Sequence, residues 1–434
     1  MIEFVNHSSF ILEYGSERLI CDPWLTGTAF NAGWRLLSPT VLTPRDFDRI
    51  TKVWFSHQHP DHFSPGDLRR IPPEVRARID VLFQKTIDKK VVRYCKGLKF
   101  RSAVEMEKNR WYPIGTDLSV LCNPWSDRDS WIAIRAGGRV ILNVNDCVIE
   151  TDAQAREIAR QVGPVDVLFT QFSYASWAGN PGDAQAHARE ARRKYDQIRL
   201  QAAHFHPRYI VPFASLIWFS HEENFFHNAG MNNVRDVAEF IERELGCEAV
   251  VLYPGDRWTP GAAHDWRSAA SKYGADLERA LGGGPVDRSA PVPLERISRA
   301  FDSYLARIKR RNPVIGFIPG LRTSAYVTDY EQVFEFTLSG MRELPAGARA
   351  DVRLGSDSLY FMVRAPWGAN ALSVNGRYSV PPGGDRVRFF RFFRAGDYND
   401  LGYAFDIPWA ANQVAKAISR RLRSESTPAI HPAP

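Results

Sequence analysis

Short apolar runs broken by turn residues dominate the first third of the chain. Phe10-Ile11-Leu12-Glu13-Tyr14 stops at Gly15, and Arg18-Leu19-Ile20-Cys21 then runs into Asp22-Pro23-Trp24, which reads as a hairpin. Val53-Trp54-Phe55-Ser56 is a short apolar strand, and Val140 to Asn145 is another that ends at Asp146. Further along the period changes. Ala153 to Val162 and Ala184 to Ala203 read as helices, while Val165 to Thr170, Tyr209 to Phe213 and Glu248 to Tyr253 read as strands. Alternating strands and helices predict an α/β fold.

Beyond Pro254-Gly255 a Gly- and Pro-rich stretch runs through Gly282-Gly283-Gly284-Pro285 to Pro293, with a helix inside it over Asp265 to Leu281. Leu294 to Arg310 is an amphipathic helix, and Glu331 to Leu338, Ala350 to Leu354 and Leu359 to Val363 alternate as strands, so this part is α+β. Leu359–Val363 and Trp367–Arg377 read as a strand pair that resembles sterol-carrier-like modules, suited to cover an active site or mediate dimerisation. The expected division is a catalytic domain over 1–258, a linker with a helix over 259–294, a smaller α+β domain over 295–423, and a disordered tail over 424–434.

Composition removes several function classes. With 44% hydrophobic and 24% charged residues the chain has the balance of a soluble protein, and no apolar run approaches the ~20 residues that span a bilayer. Met1-Ile2-Glu3-Phe4 opens directly into strand-like alternation without the regions of a signal peptide, so a cytoplasmic location is expected. The five cysteines are scattered, which argues against a disulfide framework and a thiolate zinc ribbon. The net charge of +7 is spread out, with denser clusters at Arg307 to Arg311 and Arg420 to Arg423 that read as solvated helix ends, not as a nucleic-acid surface. An anionic small-molecule substrate suits this charge without being required by it. The chain has no GxSxG, no GxGxxG after a strand, and no Lys after its glycine run, which removes serine hydrolases, Rossmann dehydrogenases and phosphate loops.

The chemistry concentrates in His57-Gln58-His59-Pro60-Asp61-His62, directly after an apolar strand. Imidazole nitrogens and a carboxylate are ligands for divalent transition metals. His57 and His59, spaced i, i+2 in extended backbone, can clamp one ion, and Asp61-His62 can turn toward a second. Two close cations make a Lewis-acid pair able to acidify a bound water or bind dioxygen.

His-x-His-x-Asp-His after a strand resembles the metallo-β-lactamase-fold superfamily, an αββα sandwich. Asn6-His7-Ser8-Ser9-Phe10-Ile11-Leu12 followed by Cys21-Asp22-Pro23-Trp24-Leu25 is similar to the opening hairpin of the branch with phospholipase-D-type and lactonase-type members, in which a first-turn histidine lies near the metals. Asn145-Asp146-Cys147 matches the place of the family's metal-bridging aspartate. A closer resemblance is to the oxygenase part of the CMP-N-acetylneuraminate hydroxylase family and its bacterial relatives. It rests on Asp22 to Trp34, on Gln171-Phe172-Ser173-Tyr174-Ala175-Ser176-Trp177, on Pro212-Phe213-Ala214-Ser215, and on Ser220-His221-Glu222-Glu223-Asn224. Members of that family carry a Rieske domain, and this chain has no such Cys-His pairs.

Two places depart from the superfamily's zinc hydrolases. The segment Asn123 to Trp131 contains no histidine where they have one; Asp127 or Asp129 could substitute. The usual last ligand position reads Pro212-Phe213-Ala214-Ser215, with His204, His206 and His221 as nearby candidates. His221-Glu222 could bring an imidazole and a carboxylate into the centre, or could be a solvated helix start. His187, His227, His264 and His431 are given no role. Trp24, Phe30, Trp34, Tyr174, Trp177 and Trp218 line a pocket beside the metals or are plain core.

The expectation is therefore a dinuclear-metal enzyme with His57, His59, Asp61, His62 and Asp146 as ligands, His221 and Glu222 as added ligands, and Asp61 and His7 handling protons. Carboxylate in place of imidazole hardens the site and favours iron over zinc or manganese. A diiron oxygenase acting on a polar small molecule, fed by an external electron donor, ranks above a zinc or manganese hydrolase of an ester, lactone, amide or phosphodiester. Nucleic acid and a membrane span are not expected, and the sequence leaves the oligomeric state open.

Overall fold

The computed structural model describes residues 1–126, 128–318 and 320–406. These fall into two compact units, one formed by Met1–Ser289 with Ala371–Ser379 and the other by Ala290–Asn370 with the chain from Val380 onward.

In the first unit, two seven-stranded sheets carry the site. One has the order Arg257–Trp258, Ile2–Asn6, Ser9–Tyr14, Glu17–Cys21, Lys52–Phe55, Asp80–Gln84, Ser102–Met106. Its pairs are antiparallel as far as Glu17–Cys21 and parallel thereafter. The other has the order Glu248–Ala249, Tyr209–Phe213, Val167–Gln171, Arg139–Asn145, Asp129–Ala136, Leu118–Trp125, Trp111–Gly115, parallel in its first half and antiparallel in its second.

Strand residues of the first sheet alternate between two cores. Phe10, Leu12, Leu19, Cys21, Trp54 and Leu82 join the core that also holds the second sheet's Val120, Ile132, Ile141 and Phe169. Ile11, Ile20, Val53, Phe55, Val81 and Phe83 point the other way and pack with Leu68, Val91 and Val92 of the helices Pro65–Arg70 and Lys90–Gly97. A sheet buried on both faces needs near-continuous apolar strands, which is why Val53-Trp54-Phe55 carries no polar position. The helices Asp152–Val162, Ala184–Phe205 and Val234–Leu245 bury Ile158, Ile198, Val237 and Ile241 in the core of the second sheet. The architecture is helix–sheet–sheet–helix, as the resemblance implied.

The structure differs from the expectations in three places. The helix inside the expected linker, Trp266–Gly282, buries Trp266, Ala269, Ala270 and Tyr273 in the first unit's core, and Asp276 accepts from Ser38 Oγ at 2.5 Å and Tyr253 OH at 2.7 Å. The stretch 259–289 therefore belongs to the first unit. In Glu248 to Tyr253 only Glu248–Ala249 is laddered. The apolar run Leu359–Val363 lies in a helix, Ser356–Arg364, which buries Leu359, Met362 and Val363, and the residues after Trp367 form the helix Gly368–Asn375. Buried positions three and four apart satisfy a helix as well as an apolar strand run does. The strand pair behind the sterol-carrier resemblance is absent.

The second unit holds a four-stranded sheet in the order Gly340–Glu343, Gln332–Thr337, Arg322–Val327, Val352–Leu354. Phe301 of the helix Leu294–Arg311 packs against Phe336 with ring centroids 5.2 Å apart, and Phe389, Phe392 and Phe393 of Arg386–Asp400 complete this core. The tail 424–434 and the cluster Arg420 to Arg423 lie outside the described residues. No helix among the described residues is long and apolar enough to cross a membrane.

Candidate metal centre

Three strand ends of the first unit meet where the two sheets open: those of Glu17–Cys21, Lys52–Phe55 and Arg139–Asn145. Asp22, just past the first, has φ 41°, and Asn145, closing the third, has φ 48°. Left-handed backbone at non-glycine residues costs of order 1 kcal/mol or more and persists only where surroundings over-determine it. Here the determinant is one buried network. Asp22 accepts from Ser56 N at 2.7 Å and Ser56 Oγ at 2.6 Å, takes the Asn145 side-chain amide as well, and lies 2.9 Å from His62 Nδ1.

This network orients the imidazoles. Ser56 has one hydroxyl proton, and the buried Asp22 carboxylate is its strongest acceptor. His57 Nδ1, 2.9 Å from Ser56 Oγ, then donates to that oxygen, and His62 Nδ1 donates to Asp22. When each ring is neutral, its Nε2 lone pair faces the interior of the cluster, a tautomer fixed by the partner of the other nitrogen.

Around those Nε2 atoms the sequence-predicted ligands converge. His62 Nε2 lies 3.3 Å from Asp61 Oδ2 and 3.3 Å from Asp146 Oδ2. His57 Nε2 lies 2.9 Å from His59 Nδ1 and 3.9 Å from the same Asp146 Oδ2. His57, His59 and Asp146 form one group whose ligand atoms lie within 4.8 Å of one another, and His7, Asp61 and His62 form a second. Asp146 Oδ2 faces both. Asp61 Oδ1 and His62 Nε2 are buried without a partner in hydrogen-bonding geometry among the described residues, which is costly unless a cation satisfies them.

The electrostatics point the same way. Burial, then the charge of Asp146, pushes the Asp129 carboxyl up to about 7. Burial and the His62 and His59 rings hold His57 well below the usual imidazole range. Burial opposes charge on His62, but Asp61, Asp146 and Asp22 outweigh it and hold its proton well above that range. Like groups crowd together in the metal-free chain, and divalent ions in place of protons would relieve them. The donors present fit two such ions.

Of the two candidate aspartates, Asp129 is described. Its Oδ1 lies 3.9 Å from His57 Nε2, which puts a carboxylate beside the cluster. Asp127 lies outside the described residues. At Pro212-Phe213-Ala214-Ser215 the chain contributes backbone: Ala214, at φ 50°, donates its N–H to the His7 carbonyl at 2.8 Å. His7 itself reaches Asp61 Oδ2 with Nε2 at 3.3 Å. His204 pairs with Asp152 at 2.7 Å, away from this centre.

His221 and Glu222 are not brought into the cluster. His221 is buried, with Nε2 3.0 Å from Ser289 Oγ and Nδ1 accepting from Glu223 N at 3.2 Å, and the half-exposed Glu222 pairs with Arg288 at 3.5 Å. Both ring nitrogens of His221 have protein partners, which removes the lone pair a metal would need. His221 instead shares Ser289 with Arg377, which donates to Ser289 Oγ at 3.0 Å. Phe30, Asn31 and Ala32 form a left-handed turn with φ 53°, 55° and 56°. The fully buried Arg377 donates to the Asn31 carbonyl at 2.6 Å and to Glu223 at 2.7 Å, and Asn375 donates to the Phe30 carbonyl at 2.9 Å. Phe30, so held, sets its ring edge-on to His59 with centroids 5.3 Å apart. Of the expected pocket aromatics, Trp24, Phe30, Trp34, Tyr174 and Trp218 are buried; Trp24 packs against His7. His187 and His227 are buried too, and stack with Phe226.

Residues 1–172 match the family model described as a beta-lactamase superfamily domain. The cytidine monophosphate-N-acetylneuraminic acid hydroxylase of Xenopus laevis is 28% identical over 152 residues, 34% of this chain and 25% of that protein. The chain spans less than half the length of the curated relatives it matches. Among solved structures, CmlA, a diiron beta-hydroxylase from Streptomyces venezuelae, is 19% identical, covering 67% of this chain and 52% of its own at a TM-score of 0.38. An isothiocyanate hydrolase from Delia radicum gut bacteria is 12% identical, covering 59% and 98% at a TM-score of 0.44. Residues 1–172 thus match a beta-lactamase superfamily domain, within a chain of metallo-β-lactamase fold.

Proposed function

We propose that the chain is a dinuclear-metal oxygenase, a diiron hydroxylase of a polar small molecule. The observation that carries this reading is Asp129 beside His57: with Asp61 and Asp146 it gives a centre with three carboxylates, harder than a histidine-rich zinc site and suited to iron. Similarity to hydroxylases named for CMP-N-acetylneuraminic acid supports it and favours an anionic, polar substrate. Iron bound here would supply the redox chemistry that turns R–H, O2, two electrons and two protons into R–OH and water. The electrons come from an external donor, a ferredoxin or reductase.

The chain's own residues do the rest. Ser56 and Asp22 hold His57 and His62 by their Nδ1 atoms. Asp61 and Asp146 would balance the charge of metal ions held by the two groups. His7 Nε2, opposite Asp61 Oδ2, holds the proton exchanged with that carboxylate. The hydrolase reading is favoured by one observation, the four imidazoles of His7, His57, His59 and His62, which also suit zinc.

Loading purified protein with iron, zinc or manganese in parallel separates the readings. Reduced iron-loaded protein is expected to consume about one O2 per metal pair and to be reoxidised, with zinc-loaded protein inert toward esters and lactones. An iron-loaded chain indifferent to O2, beside a zinc- or manganese-loaded chain that cleaves such substrates, overturns the oxygenase reading.

A further inference from the structure

One strand away from Asp146, at the end of Val167–Gln171, Gln171 places its side-chain amide against the metal centre. Its Nε2 donates to Asp146 Oδ1 at 3.2 Å and to the Ala214 carbonyl at 3.2 Å, so both amide protons are used. Its Oε1 accepts from the ammonium of Lys194, on the helix Ala184–Phe205. Lys194 is buried, 9% exposed, and its ammonium also lies 3.3 Å from Gln197 Oε1. Placing a lysine among amide oxygens in a dense region is costly, and burial lowers its pKa to about 8.

We infer that Lys194 and Gln171 form a positioning relay that clamps Asp146 Oδ1 and so presents Oδ2 to the metal ions. An amide can turn either end to a neighbour. With its oxygen facing Asp146 it would repel the carboxylate; the Lys194 ammonium captures that oxygen and leaves only Nε2 for Oδ1. Asp146 Oδ1 is thereby occupied, and Oδ2 is the atom that faces His57 and His62, at 3.9 and 3.3 Å. Neither relay residue touches a metal. This inference rests on the reading of Asp146 as the shared ligand, and the test below separates the two.

The experiment titrates metal-free protein with cobalt(II) against a chromophoric chelator, for wild type, Gln171→Leu, Lys194→Met and the double variant. Each single variant is expected to bind cobalt roughly 10- to 100-fold more weakly, the usual loss when an outer-shell partner of a metal ligand is removed. The visible cobalt spectrum should shift at saturation, a change that general loss of packing would not cause. Because both residues act through one chain of hydrogen bonds, the double variant should be no weaker than the weaker single. Gln171→Leu alone keeps the test decisive if Lys194→Met fails to fold. Wild-type affinity and spectrum in Gln171→Leu, or losses that add in the double variant, overturn the relay while leaving Asp146 as a ligand. A wild type that binds no cobalt overturns both.

Discussion

Replacing Asp146 by Ala is expected to abolish paired metal binding, reducing wild-type loading of about two ions per chain to one or none, with any remaining ion held more than about 100-fold more weakly. The carboxylate is the only group whose one oxygen, Oδ2, faces both His57 and His62 among the distances described, so its loss removes donor and charge from both positions at once. His57→Ala serves as the contrast. It removes a donor from the group with His59 and leaves His7, Asp61 and His62 in place, so one ion should survive. Metal analysis after gel filtration reads both outcomes. Full loading of Asp146→Ala would mean that another carboxylate, Asp129 first, is shared.

A loss of stability in mild acid is expected from a residue far from this chemistry in role. His227 is fully buried against His187, Phe219 and Phe226, and Tyr174 OH donates to its backbone carbonyl at 2.5 Å. Burial, then the neighbouring His187, lowers its pKa to about 3. The sign follows directly: between about 6.5, the unfolded value, and about 3 the unfolded chain binds a proton that the folded chain does not, so stability falls as pH falls. At pH 5 the loss is about 2 kcal/mol relative to pH 7.5, since each unit below 6.5 is worth ~1.4 kcal/mol. Urea unfolding of metal-free protein at the two pH values measures it. His227→Gln should be less stable at pH 7.5 but should lose about 2 kcal/mol less on acidification. A variant with the same acid sensitivity as wild type would show that His227 is not the group responsible.

The candidate metal donors were readable along the chain wherever chemistry was contiguous. His57, His59, Asp61 and His62 sit in six residues, so local pattern placed them, whereas Asp146 rested on the resemblance to the family's bridging aspartate. What holds those donors was not readable. Asp22, Ser56 and Asn145 come from three strands brought together only by the sheet, and their roles depend on hydrogen bonds that span up to 123 positions. Asp129 lies at the start of a strand, and the sequence offered it only beside Asp127. His221 and Glu222 attracted a metal role by residue type; a contact with Ser289 and another with Arg288, both over 60 positions away, decided otherwise. The left-handed turn at Phe30 to Ala32 is stranger still from sequence, since Asn375 and Arg377, more than 340 residues later, hold it. In the second unit, Leu359 to Val363 was misread because an uninterrupted apolar run carries no period.

Diffraction at the absorption edge of the metal in natively purified crystals addresses the shared site most directly. Two anomalous peaks about 3.5–4 Å apart are predicted, with Asp146 Oδ2 between them, His57 and His59 on one, and Asp61 and His62 on the other. Native crystals without any peak there, even after soaking in iron, zinc or manganese, or with one ion that Asp146 does not touch, would contradict it.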